Sequence, residues 1–266
     1  MRTSILLTVY LLVSLLAGCD KEPGVGEVVS TFMNYEETGD LPALRERGYI
    51  RLLAPRFDEP SGLPRDGIPA REYQAQAEAF ARELGLQPRW VYAESFAELG
   101  ALINAGVADI IVTNYSVTKE RQKSLAFSTP VNAVQEKLVV PEEQAGITLA
   151  KLKNLTISVP EGTSYQETAE RLARRYDNIS VEILDADLSD EELVEGVESG
   201  DLGATIIDSN MLDILISPDA DAAIGPVVNR KRRIAWAVRQ DSTELLDRIN
   251  QFITSERVMS SVKVQE

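Results

Sequence analysis

The chain has 266 residues but no histidine and a single cysteine, Cys19. Without imidazole there is no Ser-His-Asp or Cys-His relay and no nitrogen ligand for zinc. With one thiol there is no internal disulfide, whatever the compartment. Basic groups are also short, 27 Lys and Arg against 42 Asp and Glu, for a formal charge of −15. That balance argues against nucleic acid as a partner and for a surface that repels its own copies, hence a monomer. No carboxylate pair stands in a recognisable catalytic arrangement. The expectation is therefore no catalytic residue, no metal and no cofactor.

Residues 5–17 form an apolar run with Arg2 as the only charge before it. It is too short for a comfortable membrane span. It ends in Leu16-Ala17-Gly18-Cys19, which resembles the bacterial lipobox. That resemblance implies a lipoprotein signal peptide at 1–18, a lipid on Cys19, and a position on the periplasmic face of a bacterial membrane; an uncleaved anchor is the other reading. Residues 19–40 mix charge, Gly and Pro and read as a tether, with an end-to-end distance of roughly 25–30 Å if flexible, or with a short helix over Val28–Tyr35.

From Leu41 strands and helices alternate. Helices are expected over Leu41–Arg47, Arg71–Leu84, Phe96–Asn104, Ser164–Tyr176, Asp190–Ser199, Asp208–Ile216 and Ser242–Thr254. Strands are expected over Tyr49–Ala54, Pro88–Tyr92, Val107–Thr113, Glu136–Pro141, Leu155–Val159, Ser180–Leu184, Gly203–Ile207 and Ile234–Val238. Such alternation means parallel sheet flanked by helices. The ordered length suffices for two lobes of about 100 residues each.

The stretch from Asp109 to Pro130 carries the most chemistry. Ile110, Ile111 and Val112 run into Thr113, Asn114 and Ser116, placing small polar groups at the carboxyl end of a sheet, the edge where open α/β sheets bind ligands. Thr118 reads as an N-cap with Arg121 in the first turn of the helix it starts. A cation there opposes the helix dipole, so it is either a solvated surface charge or the planar fork that holds a ligand carboxylate.

The run S-V-T-K-E-R-Q-K-S-L-A-F-S-T-P resembles the signature of bacterial extracellular solute-binding proteins of the amino-acid-binding type, family 3. The resemblance implies a two-lobed periplasmic-binding-protein type 2 fold, each lobe a mainly parallel sheet flanked by helices, joined by a two-strand hinge. The first lobe would be 41–134 with a return at 229–266, the second 135–228. It further implies that Arg121 grips an α-carboxylate, with Asn114 and Ser116 lining the same pocket. In the turn Pro160-Glu161-Gly162-Thr163-Ser164 it makes Thr163 and Ser164 a second grip on that carboxylate; the residues alone read as a helix cap. It makes Asp208 the acceptor of the ligand's α-ammonium; alone, Asp208 is equally an N-cap.

This chain departs from the family where relatives carry G-x-D-x-D, having Arg71-Glu72-Tyr73-Gln74-Ala75 instead. Phe57 and Tyr73 are candidates for the aromatic wall of the pocket, or for the core. Arg56, Asp58 and Glu59 either select a charged ligand side chain or are solvated. The block Arg230-Lys231-Arg232-Arg233 reads as a solvated loop, or as a contact for anionic lipid or a partner.

The segment E-E-L-V-E-G-V-E-S-G-D-L-G-A-T-I-I-D-S, followed by R-I-A-W-A-V-R-Q-D-S, resembles the N-terminal non-catalytic module of membrane-bound lytic murein transglycosylases F. Those enzymes continue into a lysozyme-like domain that this chain is expected to lack. The reading is a lipid-anchored solute-binding protein that captures a small zwitterion, an amino acid or small peptide, for an ABC importer. Its alternative is a regulatory module that binds peptidoglycan fragments. An enzyme on this scaffold, such as a dehydratase, is disfavoured by the missing histidine.

Overall fold

The computed structural model describes residues 36–58, 70–151, 154–184, 188–217 and 219–263. The expected leader, Cys19, the Val28–Tyr35 segment and Glu59 lie outside these residues, as do the side chains of Arg71 and Glu72.

The first lobe opens with α1 (Leu41–Arg47), capped by the Asp40 carboxylate at one end and by left-handed Gly48 at the other. Strand β1 (Tyr49–Pro55) follows, then α2 (Ala70–Glu83), β2 (Gln87–Ala93), a 3-10 turn running into α3 (Leu99–Asn104), and β3 (Ile110–Ile111). Strands β4 (Leu125–Phe127) and β10 (Ala237–Arg239) complete a five-stranded sheet in the order β2-β1-β3-β10-β4. Strands β2, β1 and β3 are parallel, while β10 runs against its neighbours. Side chains of a strand alternate between faces, so Ile50 and Leu52 pack with Phe80, Trp236 and Phe252 on one side. Leu53 packs with Ile103, Tyr115 and Leu125 on the other.

The second lobe contains β6 (Leu155–Pro160), α4 (Ser164–Ala173), β7 (Ile179–Leu184), α5 (Asp190–Glu198), β8 (Thr205–Asp208) and α6 (Ser209–Leu215). Strands β6 and β7 are parallel. Strand β8 instead pairs antiparallel with β5 (Asn132–Pro141), which pairs antiparallel with β9 (Ala222–Ile234). The parallel character expected of this lobe is thus confined to part of it. Leu138 and Val140 face one core, with Ile157 and Ile206. Val139, between them, faces the other with Ile207 and Leu193. Strands β5 and β9 link the lobes. Ile234 bridges to Ser116 in the first lobe, while Ala223, on the same strand, packs in the second core.

Four local expectations are corrected. The helix after Thr118 is only a 3-10 turn, Arg121–Lys123, because β4 begins at Leu125 and leaves room for no more. The strand expected over Val107–Thr113 pairs only at Ile110 and Ile111. The basic block is no loop: it lies in β9, whose alternation turns Arg232 inward and leaves Arg230, Lys231 and Arg233 exposed. The last helix, α7 (Thr243–Lys263), runs past Thr254.

A buried ionic cluster closes the end of the first lobe away from β1's carboxyl terminus. Asp109 accepts from the Arg51 backbone N–H at 2.7 Å and from its guanidinium at 2.9 Å, and pairs with Arg47. Arg51 also binds the carbonyls of Gly106 and Glu37, and Arg239 those of Ala108 and Gly39. Removing one partner from such a cluster leaves uncompensated buried charge, at about 3–5 kcal/mol. Asp109→Asn is therefore expected to lower unfolding stability in urea by about that much; a loss under about 1 kcal/mol would show the cluster to be dispensable.

Candidate functional site

The carboxyl end of β3 in one lobe faces the start of α4 and the end of β8 in the other. Asn114 donates through Nδ2 to Asp208 Oδ2 at 3.1 Å, and Ser164 Oγ donates to Ser116 Oγ at 3.2 Å. Arg121 donates to the Ser116 carbonyl at 2.8 Å and across the cleft to the Gly162 carbonyl at 2.9 Å. Its guanidinium lies 3.8 Å from the centroid of the Tyr115 ring. Two of its five N–H groups are thus engaged, the plane rests on an aromatic face, and burial pushes its pKa below the usual value. Five of the residues singled out from sequence, Asn114, Ser116, Arg121, Ser164 and Asp208, meet here.

Gly162 makes this approach feasible. It has φ of +71°, and a Cβ there would lie 2.6 Å from Ala97 of the first lobe. Only glycine tolerates both the left-handed backbone and that contact. Thr163 is the N-cap of α4: it accepts from Gln166 N–H at 3.3 Å and donates to the Pro160 carbonyl at 2.8 Å. The capping reading of Thr163 therefore accounts for its hydroxyl.

Asp208 is 1% exposed. Its N–H donates to the Tyr165 hydroxyl at 3.2 Å, but its carboxylate makes no cap to α6. Oδ1 has no hydrogen-bond partner among the described residues. Burial, then the charges of Asp190 and Glu136, raises its pKa well above the ordinary value.

Tyr115, Tyr165 and Asp190, none of them a candidate from sequence, also stand at the site, together with Arg232, which the basic block placed in a solvated loop or a lipid or partner contact. Tyr165 donates its hydroxyl to Asp190 at 3.2 Å. Burial raises Asp190 to about 7, helped by the charge of Asp58 in the other lobe. Arg232 Nε donates to Glu136 Oε1 at 2.6 Å, and its Nη2 binds the Ser164 carbonyl and the Thr168 hydroxyl. It fixes the start of α4 against β5. A signal existed for Tyr115, which sits between Asn114 and Ser116; none marked Asp190, which reads as an ordinary first-turn acid.

Phe57 lies in the 3-10 turn after β1, 37% exposed, with no place in these contacts. Its neighbour Asp58 reaches the site instead, accepting from Thr113 Oγ1 at 2.7 Å, and burial, then the charge of Asp58, pushes the Tyr73 phenol above its ordinary pKa. Arg56 pairs with Glu94 on the exposed surface.

The site's chemistry is guanidinium, carboxylate and phenol from both lobes, and among the described residues no group of His, Cys, Asp and Glu could hold a metal. No helix among the described residues is long and apolar enough to cross a membrane.

The model of bacterial extracellular solute-binding proteins, family 3, matches residues 71–261. A membrane-bound lytic murein transglycosylase F of Maricaulis maris is 28% identical over 228 residues, covering 85% of this chain and 48% of that protein. The chain thus spans about half the length of the curated relatives it matches. Among solved structures, a mutant of ArgBP from T. maritima superposes with a TM-score of 0.70 at 23% identity, covering 84% of this chain and 96% of that one. The amino acid ABC transporter substrate-binding protein AbpA of Streptococcus pneumoniae, bound to L-arginine, gives 0.69 at 22% identity, covering 84% and 94%. These likenesses fix the fold as the two-lobed type 2 binding-protein architecture.

A titration tests the electrostatics. A carboxyl whose folded pKa is raised holds its proton where the unfolded chain has lost it, so stability falls as pH rises from the unfolded to the folded pKa. For Asp190 that window runs from 3.8 to about 7. Without ligand, the protein is expected to lose up to about 4 kcal/mol relative to Asp190→Asn between about pH 4 and 7. Parallel stability curves for the two proteins would refute the burial of that charge.

Proposed function

The chain belongs to the bacterial extracellular solute-binding proteins, family 3, and from that premise we propose that it captures a small zwitterion, an amino acid or short peptide, between its lobes. The observation that carries this reading is the placement on opposite lobes of Arg121, which reaches across to Gly162, and Asp208, a buried carboxylate that meets Asn114 of the other lobe and has one oxygen lacking a donor among the described residues. An α-ammonium supplies that donor, and an α-carboxylate takes the open N–H groups of Arg121. Asn114 beside Asp208, and Ser116 beside Arg121 with Ser164 bonded to it, orient the ligand. Because Arg121 reaches Gly162 in the opposite lobe, ligand binding and lobe contact are coupled.

In this reading the protein works on the periplasmic face of a bacterial membrane, anchored by lipid on Cys19. It is a monomer, not an enzyme, and hands its ligand to an ABC permease. A second destination has its own support: the matched relatives are membrane-bound lytic murein transglycosylases F, which favours a module that senses peptidoglycan fragments. The cleft chemistry serves both, since a muropeptide also carries amino and carboxyl groups.

A calorimetric screen against amino acids, dipeptides and muropeptides separates them. Tight binding of free amino acids favours import, and binding restricted to muropeptides favours the cell-wall role. Whichever ligand binds, Arg121→Ala is expected to weaken it by about 2–5 kcal/mol, the cost of leaving a partner charge unpaired, while circular dichroism stays native. Unchanged affinity in that variant would end the proposed role of Arg121.

A further inference from the structure

No apolar cluster among the described residues crosses between the lobes: two lie in the first lobe and two in the second. What crosses the cleft is a short set of direct bonds. Asn114 Nδ2 donates to Asp208 Oδ2, Ser164 Oγ to Ser116 Oγ, and Arg121 to the Gly162 carbonyl. Beside them the Gly162 backbone lies so near Ala97 that a Cβ on the glycine would come within 2.6 Å of it. Asn114 Nδ2 and Ser164 Oγ have no hydrogen-bond partner in their own lobes among the described residues. Ser116, Ser164 and Asp208 are buried, so parting the lobes returns all three to water. Relative motion is the ordinary condition of two units whose contact is small and polar. A single hydrogen bond also adds little net free energy, because both partners can bond to water instead. Contacts of this kind hold the lobes without fusing them.

We propose that these bonds form a self-latch, which keeps a closed arrangement of the lobes in equilibrium with an open one and needs no solute to bridge them. Asn114 and Ser116 of the first lobe meet Asp208 and Ser164 of the second, and Ala97 against Gly162 sets how far closure goes. The latch stands apart from the zwitterion reading above; only its consequence for a solute rests on that reading. A zwitterion entering the cleft takes Asp208 and Arg121 from their uncharged partners, Asn114 and the Gly162 carbonyl, and gives each a charged one. The solute then enlarges a closed population that the protein already holds, rather than creating a new state.

The test measures lobe separation with no solute added. Spin labels are placed at two exposed positions on opposite lobes through Ala101→Cys and Asp177→Cys, with Cys19→Ser removing the other thiol. The chain is dialysed in denaturant and refolded to free it of bound solute, and double electron–electron resonance reads the distance distribution. The labelled parent is expected to show a short population beside a long one. Asn114→Ala combined with Ser116→Ala is expected to cut the short-to-long ratio at least about fivefold, the effect of two net hydrogen bonds. Ala97→Leu puts a wedge at an exposed site outside the proposed solute contacts. It is expected to move the short population outward by about 2 Å or more, the scale of a domain rearrangement. A parent with the long population alone overturns the latch and leaves solute capture standing. An unchanged ratio in the double variant does the same. An unmoved short population in Ala97→Leu overturns the stop at Gly162. If the double variant does not fold, the parent distribution and the wedge still decide.

Discussion

Charge taken out of water where two lobes meet is the constraint around which this molecule is arranged. Asp208 sits at the end of a buried strand, where ordinary folding would place an apolar residue or a helix cap. It makes no cap, and one of its oxygens finds no donor. Burying a carboxylate this way costs stability, and nothing in the core of the second lobe needs it. The nearby Asp190 carries a similar penalty. Groups that weaken the protein alone but would gain full partners from a solute are the signature of a binding cleft.

The rest of the scaffold limits that cost. Strands β5 and β9 link the lobes, and register shifts between Val134 and Val139 interrupt their pairing. Within that stretch, Glu136 pairs with Asp208 in the strand register and with Arg232 through its side chain. One buried ion pair thereby ties the connecting strands to the first turn of α4, which holds Ser164 and Tyr165. The turn before it has a glycine so that the lobes can touch at Ala97. Connecting strands, helix start and cleft wall are thus one connected network.

Much of this was legible in the residues. The alternation of apolar strands with capped helices located most elements, and Asn114, Ser116, Arg121, Ser164 and Asp208 were picked out before any coordinates. What escaped had physical reasons. Strand β9 was hidden because four consecutive basic side chains look solvated in one dimension; only the period of two reveals that Arg232 points inward to a carboxylate 96 residues away in sequence. Asp190 was hidden because an acid in a first turn is commonplace, and its burial depends on Tyr165 from another helix. Phe57 drew notice as an aromatic beside a loop, yet its neighbour Asp58 is the one that reaches Thr113, since in a 3-10 turn successive side chains point about a third of a turn apart. Local chemistry shows in local sequence, whereas pairings across lobes do not.

The scaffold alone does not assign a ligand, because a fold hosts many functions and the site decides among them. Here the solved neighbours and the curated relatives differ in what they are named for, a bound amino acid on one side and murein cleavage on the other. A binding module needs only that closure depend on the solute, and any second domain can read closure as readily as a permease can. What the described residues of this chain add to that scaffold is electrostatic: the guanidinium of Arg121 on one lobe and, on the other, the buried Asp208 with an oxygen lacking a donor among the described residues, beside the Glu136–Arg232 ion pair.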